Sequence, residues 1–414
     1  MPGVLVRTFG CKQNQFDSEL VRRRILDRGS VLAPSPELAD YIVLNTCAVT
    51  QKAISKARGE IGRLRRLNPR ARISVLGCGV RYHREAFTGA DDIAAICWPG
   101  AEVEPFDPER EFCGPHGVIP SGRTRAFLRI QSGCDESCAY CIVPQLRGPS
   151  RSIPLGECLL AQAELLSQGA LEIVLTGTNI SLWGRDLPGR PGLLDLLKSL
   201  VTQIGPARLR LSSLEAPLLT PEFLDWCLQQ PKICRHYHIA LQSASPRVLD
   251  RMNRGVLTTP LVDALMTIAK NQPDVCLGAD IVAGLPGETD SDFRQTRDWI
   301  RNVPFAYIHV FPYSERRGTM AARLGLTVPP LEARERAHEF QQLGIQLKKE
   351  FIFRNRHHPA EVIDLGYKQG GHSRGLTANY LHLTFTQTHP SEAGCFPLPL
   401  SDRRILSIQL QPAS

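Results

Sequence analysis

The sequence predicts an α/β protein in three parts: an N-terminal parallel-sheet domain, a central β/α region and a small C-terminal all-β barrel. Three observations predict it. Short apolar runs alternate with helical periods over residues 1–96, and again from Thr124 to Ser314. Such alternation implies parallel strands with helices packed on the sheet faces. Between these regions, nine of the 27 residues 97–123 are Pro or Gly, which breaks both periods and reads as a linker. Past residue 354 the helical period is lost, and the runs AEVIDL, NYLHLTF and RILSIQL read as strands split by Gly- and Ser-bearing turns.

The elements follow in order. Val4–Phe9 is a first strand, and Asp17–Ser18 can cap a helix that stops at Gly29. Tyr41–Leu44 and Ile73–Leu76 are further strands, joined by a basic helix from Thr50 to Leu67 that Asn68–Pro69 ends. In the second region the strands are Ala126–Gln131, Glu172–Thr176, Arg208–Ser212, His236–Gln242, Val275–Val282 and Tyr307–Phe311. Helices Glu157–Gln168, Leu193–Ile204, Pro221–Gln229, Pro260–Asn271 and Asp290–Asn302 separate them. Six such units suit a partial barrel, although periodicity alone also admits a flat sheet. An amphipathic helix over about 330–355 closes this part, so the boundaries are 1–96, 97–123, 124–353 and 354–414.

The chain of 414 residues can bury a large core without disulfide staples. It has no apolar run long enough to span a bilayer and no secretory leader, so a cytoplasmic location is expected. A net charge of +8 permits an anionic partner without naming one. Thirteen cysteines in such a chain point to metal or catalytic roles.

Two cysteine groups stand out. Cys134, Cys138 and Cys141 directly follow the first strand of the second region, where β/α folds carry their chemistry. A structural zinc wants a fourth Cys or His nearby, and the next cysteine is Cys158, inside a predicted helix. Three thiolates suit an iron–sulfur cubane, which then keeps one iron open for a small molecule. The second group is scattered. Cys11, Cys47 and Cys78 each follow a strand of the N-terminal sheet within three residues. Strand C-termini of a parallel sheet lie along one edge, so the three can converge there. Three unrelated buried cysteines would fit the same pattern. Cys234, His236 and His238 alternate on one strand, which admits a metal site or, more plainly, histidines lining a barrel interior.

The CxxxCxxC triplet with Tyr140 before its last cysteine resembles the radical S-adenosylmethionine superfamily. The segments TFGCKQN, LNTCAVT, TRAFLRIQSGC, CIVPQLRGPSRS, RLSSLEAP, HIALQSAS, MNRG, GLPGET and FPYSERRGTMAA narrow the resemblance to the methylthiotransferases. The resemblance implies a radical S-adenosylmethionine partial (β/α)6 barrel and two 4Fe–4S clusters. One is on Cys134, Cys138 and Cys141 and binds S-adenosylmethionine. The other is on Cys11, Cys47 and Cys78 and serves the transferred sulfur. Two successive uses of S-adenosylmethionine are implied, one for methylation and one for radical formation. NTCAVT and GLTANYLHL look most like the branch that methylthiolates carbon 2 of threonylcarbamoyladenosine beside the tRNA anticodon. The alternatives are the isopentenyladenosine branch, the relative that modifies a ribosomal-protein aspartate, and a non-catalytic tRNA-binding iron–sulfur scaffold.

The expected partners are the tRNA anticodon loop, a reductant of flavodoxin or ferredoxin type and a sulfur donor, with the protein a monomer. The C-terminal segment resembles a TRAM-like RNA-binding barrel. Its six Arg/Lys against four Asp/Glu are a modest excess, whereas KARGEIGRLRRLNPRAR at 56–72 holds seven positive residues and one negative. That run suits phosphate contacts or an ordinary solvated helix face. Thr176, Gly177, Asn179, Ser213, Glu215 and Gln242 follow barrel strands and are candidate cofactor contacts, each equally a turn or cap residue. The chain departs from the family pattern at GVRYH after Cys78, at LQSAS and at GLPGE.

Overall fold

In a computed structural model the described residues are 1–93, 95–96, 104–105, 116–120, 123–255, 259–325, 327–356, 359–369, 372–386 and 396–399. Most of the expected linker, the run RILSIQL, and Cys97, Cys113 and Cys395 lie outside them.

The N-terminal domain is a parallel sheet of β1 (Gly3–Thr8), β2 (Val31–Leu32), β3 (Tyr41–Thr46), β4 (Arg72–Gly77) and β5 (Asp92–Ile93), ordered β2-β1-β3-β4-β5. Helix α1 (Lys12–Asp27) covers one face and α2 (Gln51–Leu67) the other. The expected cap at Asp17–Ser18 is incorrect. Cys11 is the N-cap of α1, and Asp17 and Ser18 are buried inside the helix. Ser18 accepts from Thr8 Oγ1 at 2.7 Å and from Asn45 Nδ2 at 3.1 Å, so tertiary contacts take the groups that local capping would have used. Thr50 does cap α2, accepting from Ala53 N–H at 3.1 Å. Ile54, Ala57, Ile61 and Leu64 make its buried stripe, and Lys52, Lys56, Arg58, Arg66 and Arg70 stay exposed.

A short antiparallel pair, β6 (Ala95–Ile96) and β7 (Glu104–Pro105), precedes the edge strand β8 (Gly117–Val118). The central strands are β9 (Arg125–Arg129), β12 (Glu172–Thr176), β13 with β14 (Arg208–Arg210 and Ser213–Leu214), β15 (His236–Gln242), β16 (Cys276–Ala283) and β17 (Tyr307–Pro312). They pair in parallel in chain order, and a bridge between Leu209 and Ile233 joins the two four-stranded sheets across the middle. That order and the inner face described next make this an open partial barrel. The small pair β10 (Gln131–Ser132) and β11 (Arg151–Ser152) brackets the cysteine loop.

Alternation along each strand sorts the side chains. Ala126, Leu128, Ile173, Leu175, Leu209, Tyr237, Ile239, Leu277, Ala279 and Ile281 join the large core shared with the helices. Arg125, Phe127, Glu172, Val174, Arg208, Arg210, His236, His238 and Asp280 alternate with them and face the lumen. The open side of the barrel is not left to water. Phe16 and Leu20 of α1 form a cluster with the lumen-facing Phe127 and Val174, so the N-terminal domain closes the barrel with its own helix.

Helix Pro330–Asn355 leads to the C-terminal sheet β18 (Pro359–Gln369), β19 (His372–Thr377), β20 (His382–Thr386) and β21 (Phe396–Pro399), antiparallel in the order β20-β19-β18-β21. Strand β19 was not expected, because HSRG reads as a turn until β18 and β20 flank it. This sheet caps the N-terminal end of the barrel strands. Arg208 donates to Leu376 O at 2.9 Å, Arg210 donates to Thr377 O at 2.9 Å, and Tyr380 stacks on His236 with ring centroids 4.3 Å apart. Among the described residues no helix is long and apolar enough to cross a membrane.

Candidate active site

Cys11, Cys47 and Cys78 do meet at the C-terminal edge of the N-terminal sheet. Gly10 has φ +116°, and a Cβ there would lie 2.7 Å from Cys47 Cβ and 3.1 Å from its Sγ. Only glycine lets the Cys11 turn approach Cys47 this closely. The Cys47 thiol is pushed up to about 11, first by burial and then by the neighbouring Cys11 and Cys78. Burial also raises Cys78, against the pull of the Arg147 guanidinium.

Asn14 ties this edge together. Its Nδ2 donates to Phe9 O at 2.9 Å and Thr46 O at 3.0 Å, and its Oδ1 accepts from Arg147 Nη2 at 2.9 Å. Arg147 ends the short helix Val143–Arg147, which begins two residues after Cys141. It also donates to Asp17 at 3.0 Å, while Arg129 lies 3.7 Å from the other oxygen of Asp17. The two cysteine groups therefore face one junction, with a buried Arg–Asp pair at its centre. The residues GVRYH, where the chain departs from the family pattern, serve that junction. Arg81 donates to Leu146 O, and Tyr82 Oη accepts from Arg317 N–H at 2.8 Å while its ring lies under Arg316.

The second triplet lines a cavity of about 390 Å³ with Gly318, Thr319 and Met320 opposite. Gly133 begins the loop at φ +74°, where a Cβ would fall 1.8 Å from Pro149 O, so no other residue closes this turn. Ala139 N–H donates to Met252 O at 2.8 Å and Ala321 N–H donates to Ala139 O at 2.7 Å, which fixes the loop across the barrel mouth. Arg254 Nη1 lies 3.4 Å from Cys138 Sγ, and its Nη2 is 2.7 Å from Glu215. Burial pushes the Cys141 thiol up to about 11 and raises Cys134 as well. These thiols release protons when they take metal.

Both groups fit an iron–sulfur cubane better than a single ion. A tetrahedral zinc with bonds of about 2.3 Å would hold its thiolates about 3.8 Å apart. Among the described residues, the only three ligand atoms all within 4.8 Å of one another belong to His238, Asp280 and His309. Neither cysteine triplet is that tight. Glycine turns that clear space, and the nearby Arg147 and Arg254, suit a bulky anionic group.

Of the candidate cofactor contacts, two touch the cysteine loop's surroundings. The Asn179 side chain reaches the Cys134 thiol and accepts from Ser181 N–H at 3.2 Å. Glu215 is linked to Cys138 through Arg254. A Cβ on Gly177 would sit 3.0 Å from Gln131 Oε1, so it packs on the buried glutamine that holds the loop at Gly133 O. Thr176 bonds back to Val174 O at 3.3 Å, which is a turn contact. Ser213 is exposed. Gln242 has φ +67°, a left-handed strain of about 1–2 kcal/mol for a side-chain-bearing residue, and it stands at the barrel mouth. Sequence reasoning missed Asn14, Asp17, Arg147 and Arg254. Asn14, Arg147 and Arg254 lie in the quoted segments TFGCKQN, CIVPQLRGPSRS and MNRG, which was the available signal.

The lumen below is polar and occupied by paired charges. Glu172 receives Arg208 at 2.9 Å, Arg210 at 2.7 Å and Arg125 at 2.8 Å. These cations hold its carboxyl well below the usual range despite burial. His238 Nε2 donates to Asp280 at 3.0 Å, and His309 lies 3.3 Å from the same oxygen. Cys234, His236 and His238 do not gather as one site, because Cys234 turns to Glu172 and His236 to Tyr307. Burial, with Arg210 nearby, holds His236 well below its ordinary 6.5. Its contribution is thus complete above pH 6.5 and is lost as pH falls below it, at up to about 1.4 kcal/mol per pH unit. Denaturant titrations across that range should show the loss, and His236→Phe should flatten it.

The family profile described as "Uncharacterized protein family UPF0004" matches residues 3–97, and the profile "Radical SAM superfamily" matches residues 128–300. The chain is 33% identical to the threonylcarbamoyladenosine tRNA methylthiotransferase MtaB of Bacillus subtilis, over 94% of this chain and 91% of that protein. It is 32% identical to MtaB of Rickettsia prowazekii, over 86% of each. It is 31% identical to the tRNA-2-methylthio-N(6)-dimethylallyladenosine synthase of Chloroflexus aurantiacus, over 93% of this chain and 89% of that protein. Among solved structures, the radical S-adenosylmethionine methyltransferase TsrM of Kitasatospora setae superposes with a TM-score of 0.51 at 14% identity, over 78% of this chain and 74% of that one, a likeness of fold. With relatives this similar over nearly their whole length, the chain belongs to the radical S-adenosylmethionine tRNA methylthiotransferase family.

Proposed function

We propose that the protein adds a methylthio group to carbon 2 of N6-threonylcarbamoyladenosine in the anticodon loop of tRNA. The observation that carries this reading is the junction itself: two cysteine triplets from separate domains open onto one barrel mouth, joined by Arg147, Asn14 and Asp17. When bound, the cluster on Cys134, Cys138 and Cys141 supplies the electron that cleaves S-adenosylmethionine, and the one on Cys11, Cys47 and Cys78 serves the transferred sulfur.

The chain's own residues supply position and charge. Arg254 and Arg147 offset the thiolate charge of the two sites. Gln131, Asn179 and Glu215 brace the loop from below. Helix α1 and the C-terminal sheet close the lumen, which keeps reactive species from water. A single-stranded anticodon loop presents a base that can be splayed out into such a mouth. The exposed Lys52, Lys56, Arg58 and Arg66 of α2, with Arg70 just past its end, are the proposed phosphate contacts, since the helix starts beside Ser314 of the barrel, 3.1 Å from Gln51 N. Charge reversal at Lys56 and Arg58 should weaken tRNA binding and lower its salt slope by about two. Unchanged salt dependence would remove that assignment.

The reductant of flavodoxin or ferredoxin type, the sulfur donor, the cytoplasmic location and the monomeric state belong to the same proposal. Nucleoside mass spectrometry of a deletion strain tests it: the methylthio mark should vanish from threonylcarbamoyladenosine. Its loss from isopentenyladenosine, or from a ribosomal-protein aspartate, would assign the alternative substrates instead.

A further inference from the structure

Lys12 is unlike the other lumen cations. It follows Cys11 directly and stands one turn before Phe16 and two before Leu20, so the three share a helix face. Phe16 and Leu20 pack on the lumen-facing Phe127 and Val174. Lys12 therefore points into the same lumen, within the fields of Arg125, Arg210, Asp280 and Glu172.

Both nearby carboxylates are already engaged. Glu172 is held by three arginines, and Asp280 by His238 and His309. Lys12, Arg125, Arg208 and Arg210 make four cations against those two carboxylates, an excess that favours an anionic guest. The arginines spend their remaining donors partly on carbonyls of the C-terminal sheet, as Arg208 does on Leu376 O and Arg210 on Thr377 O. Among the described residues Lys12 has no hydrogen-bond or ion-pair partner, and it is half-buried. Next to it, Gln13 is 3% exposed, and neither its Nε2 nor its Oε1 has a partner among the described residues. Leaving a buried amide unpaired is costly, so the first turn of α1 carries two polar side chains whose partner comes from outside the chain.

Resting on the proposed substrate, we infer that Lys12 is the specificity-determining residue that receives the carboxylate of the threonylcarbamoyl group, with Gln13 beside it for the carbamoyl edge. An isopentenyl group carries no charge and would set hydrocarbon against the half-buried Lys12 ammonium. The same lysine therefore both selects the acid and rejects the apolar modification.

The test uses the reconstituted full chain and anticodon stem–loop RNAs bearing threonylcarbamoyladenosine, its neutral carboxamide analogue, isopentenyladenosine or plain adenosine. Wild type should bind the acid at least about 10-fold tighter than the carboxamide, as a charge-assisted bond predicts. In Lys12→Met that preference should fall to within about twofold, and Lys12→Arg should keep part of it. Iron content, melting temperature and affinity for S-adenosylmethionine are measured on each variant. A Lys12→Met protein with normal iron that still prefers the acid about 10-fold overturns the assignment. So does a variant that loses S-adenosylmethionine affinity but keeps its RNA preference, since the carboxylate would then be the cofactor's. If Lys12→Met fails to load iron, the wild-type comparison of acid with carboxamide and the Lys12→Arg variant decide. A wild type that modifies isopentenyladenosine and ignores threonylcarbamoyladenosine defeats the substrate reading. A wild type that modifies threonylcarbamoyladenosine without preferring acid to carboxamide defeats only the role of Lys12.

Discussion

A Cys47→Ala protein, reconstituted without oxygen, should hold about four irons per chain where the wild type holds about eight, the sum of two cubanes. It should form no methylthio product, while still releasing 5′-deoxyadenosine under reduction. Cys47 is 6% exposed and sits against the Gly10 turn, so its thiol is fixed at the edge. Cys138→Ala should give the complementary result: again about four irons, but no 5′-deoxyadenosine. The measurements are iron analysis and chromatography of the nucleoside product. Eight irons retained in Cys47→Ala would mean that the N-terminal edge is not a cluster site. A wild-type value near four would remove the second cluster altogether.

Arg147→Met should damage both cysteine sites at once. It leaves Asp17, only 7% exposed at its side chain, with Arg129 3.7 Å away as its remaining cation among the described residues, and it takes the 2.9 Å donor from Asn14 Oδ1. Breaking a buried pair from one side costs about 3–5 kcal/mol. The loss should appear as faster hydrogen exchange at the N-terminus of α1 and in Val143–Arg147, and as poor loading of both clusters. Arg147→Met combined with Asp17→Asn should restore much of the stability, because the uncompensated charge is gone. If the double variant is as weak as the single one, packing rather than charge holds the junction.

Much of this architecture was legible in the chain. Glu172–Thr176, His236–Gln242, Pro221–Gln229 and Asp290–Asn302 fall where periodicity and caps put them, since each is a local signal. Thr289 with Asp292 forms a capping box, and Thr220 precedes a proline at the first helical position. The cysteines were legible because strand ends of a parallel sheet share an edge. Asp17 and Ser18 misled because a cap and a buried tertiary contact use the same residue types. Arg147 and Arg254 lie in the quoted segments CIVPQLRGPSRS and MNRG, but no local period or cap pointed to their roles. Their partners lie 130 residues away at Asp17 and 116 away at Cys138. The choice between open barrel and flat sheet was equally non-local, since it rests on the Leu209–Ile233 bridge and on what fills the lumen.

The α1 helix that closes the barrel has a consequence for how the protein is made. Phe16 and Leu20 leave the ribosome before any of the strands they will cover. At the usual pace of about 5–20 residues per second, the last of those strands, Glu172–Thr176, follows about ten seconds later or more. During that interval the apolar stripe of α1 has no strand to cover it, and it lies in the same domain as the three thiols. The half-built barrel cannot shelter them. Cys11 stays exposed in the finished fold, so the rim of this edge remains reachable after the later strands have covered the apolar stripe.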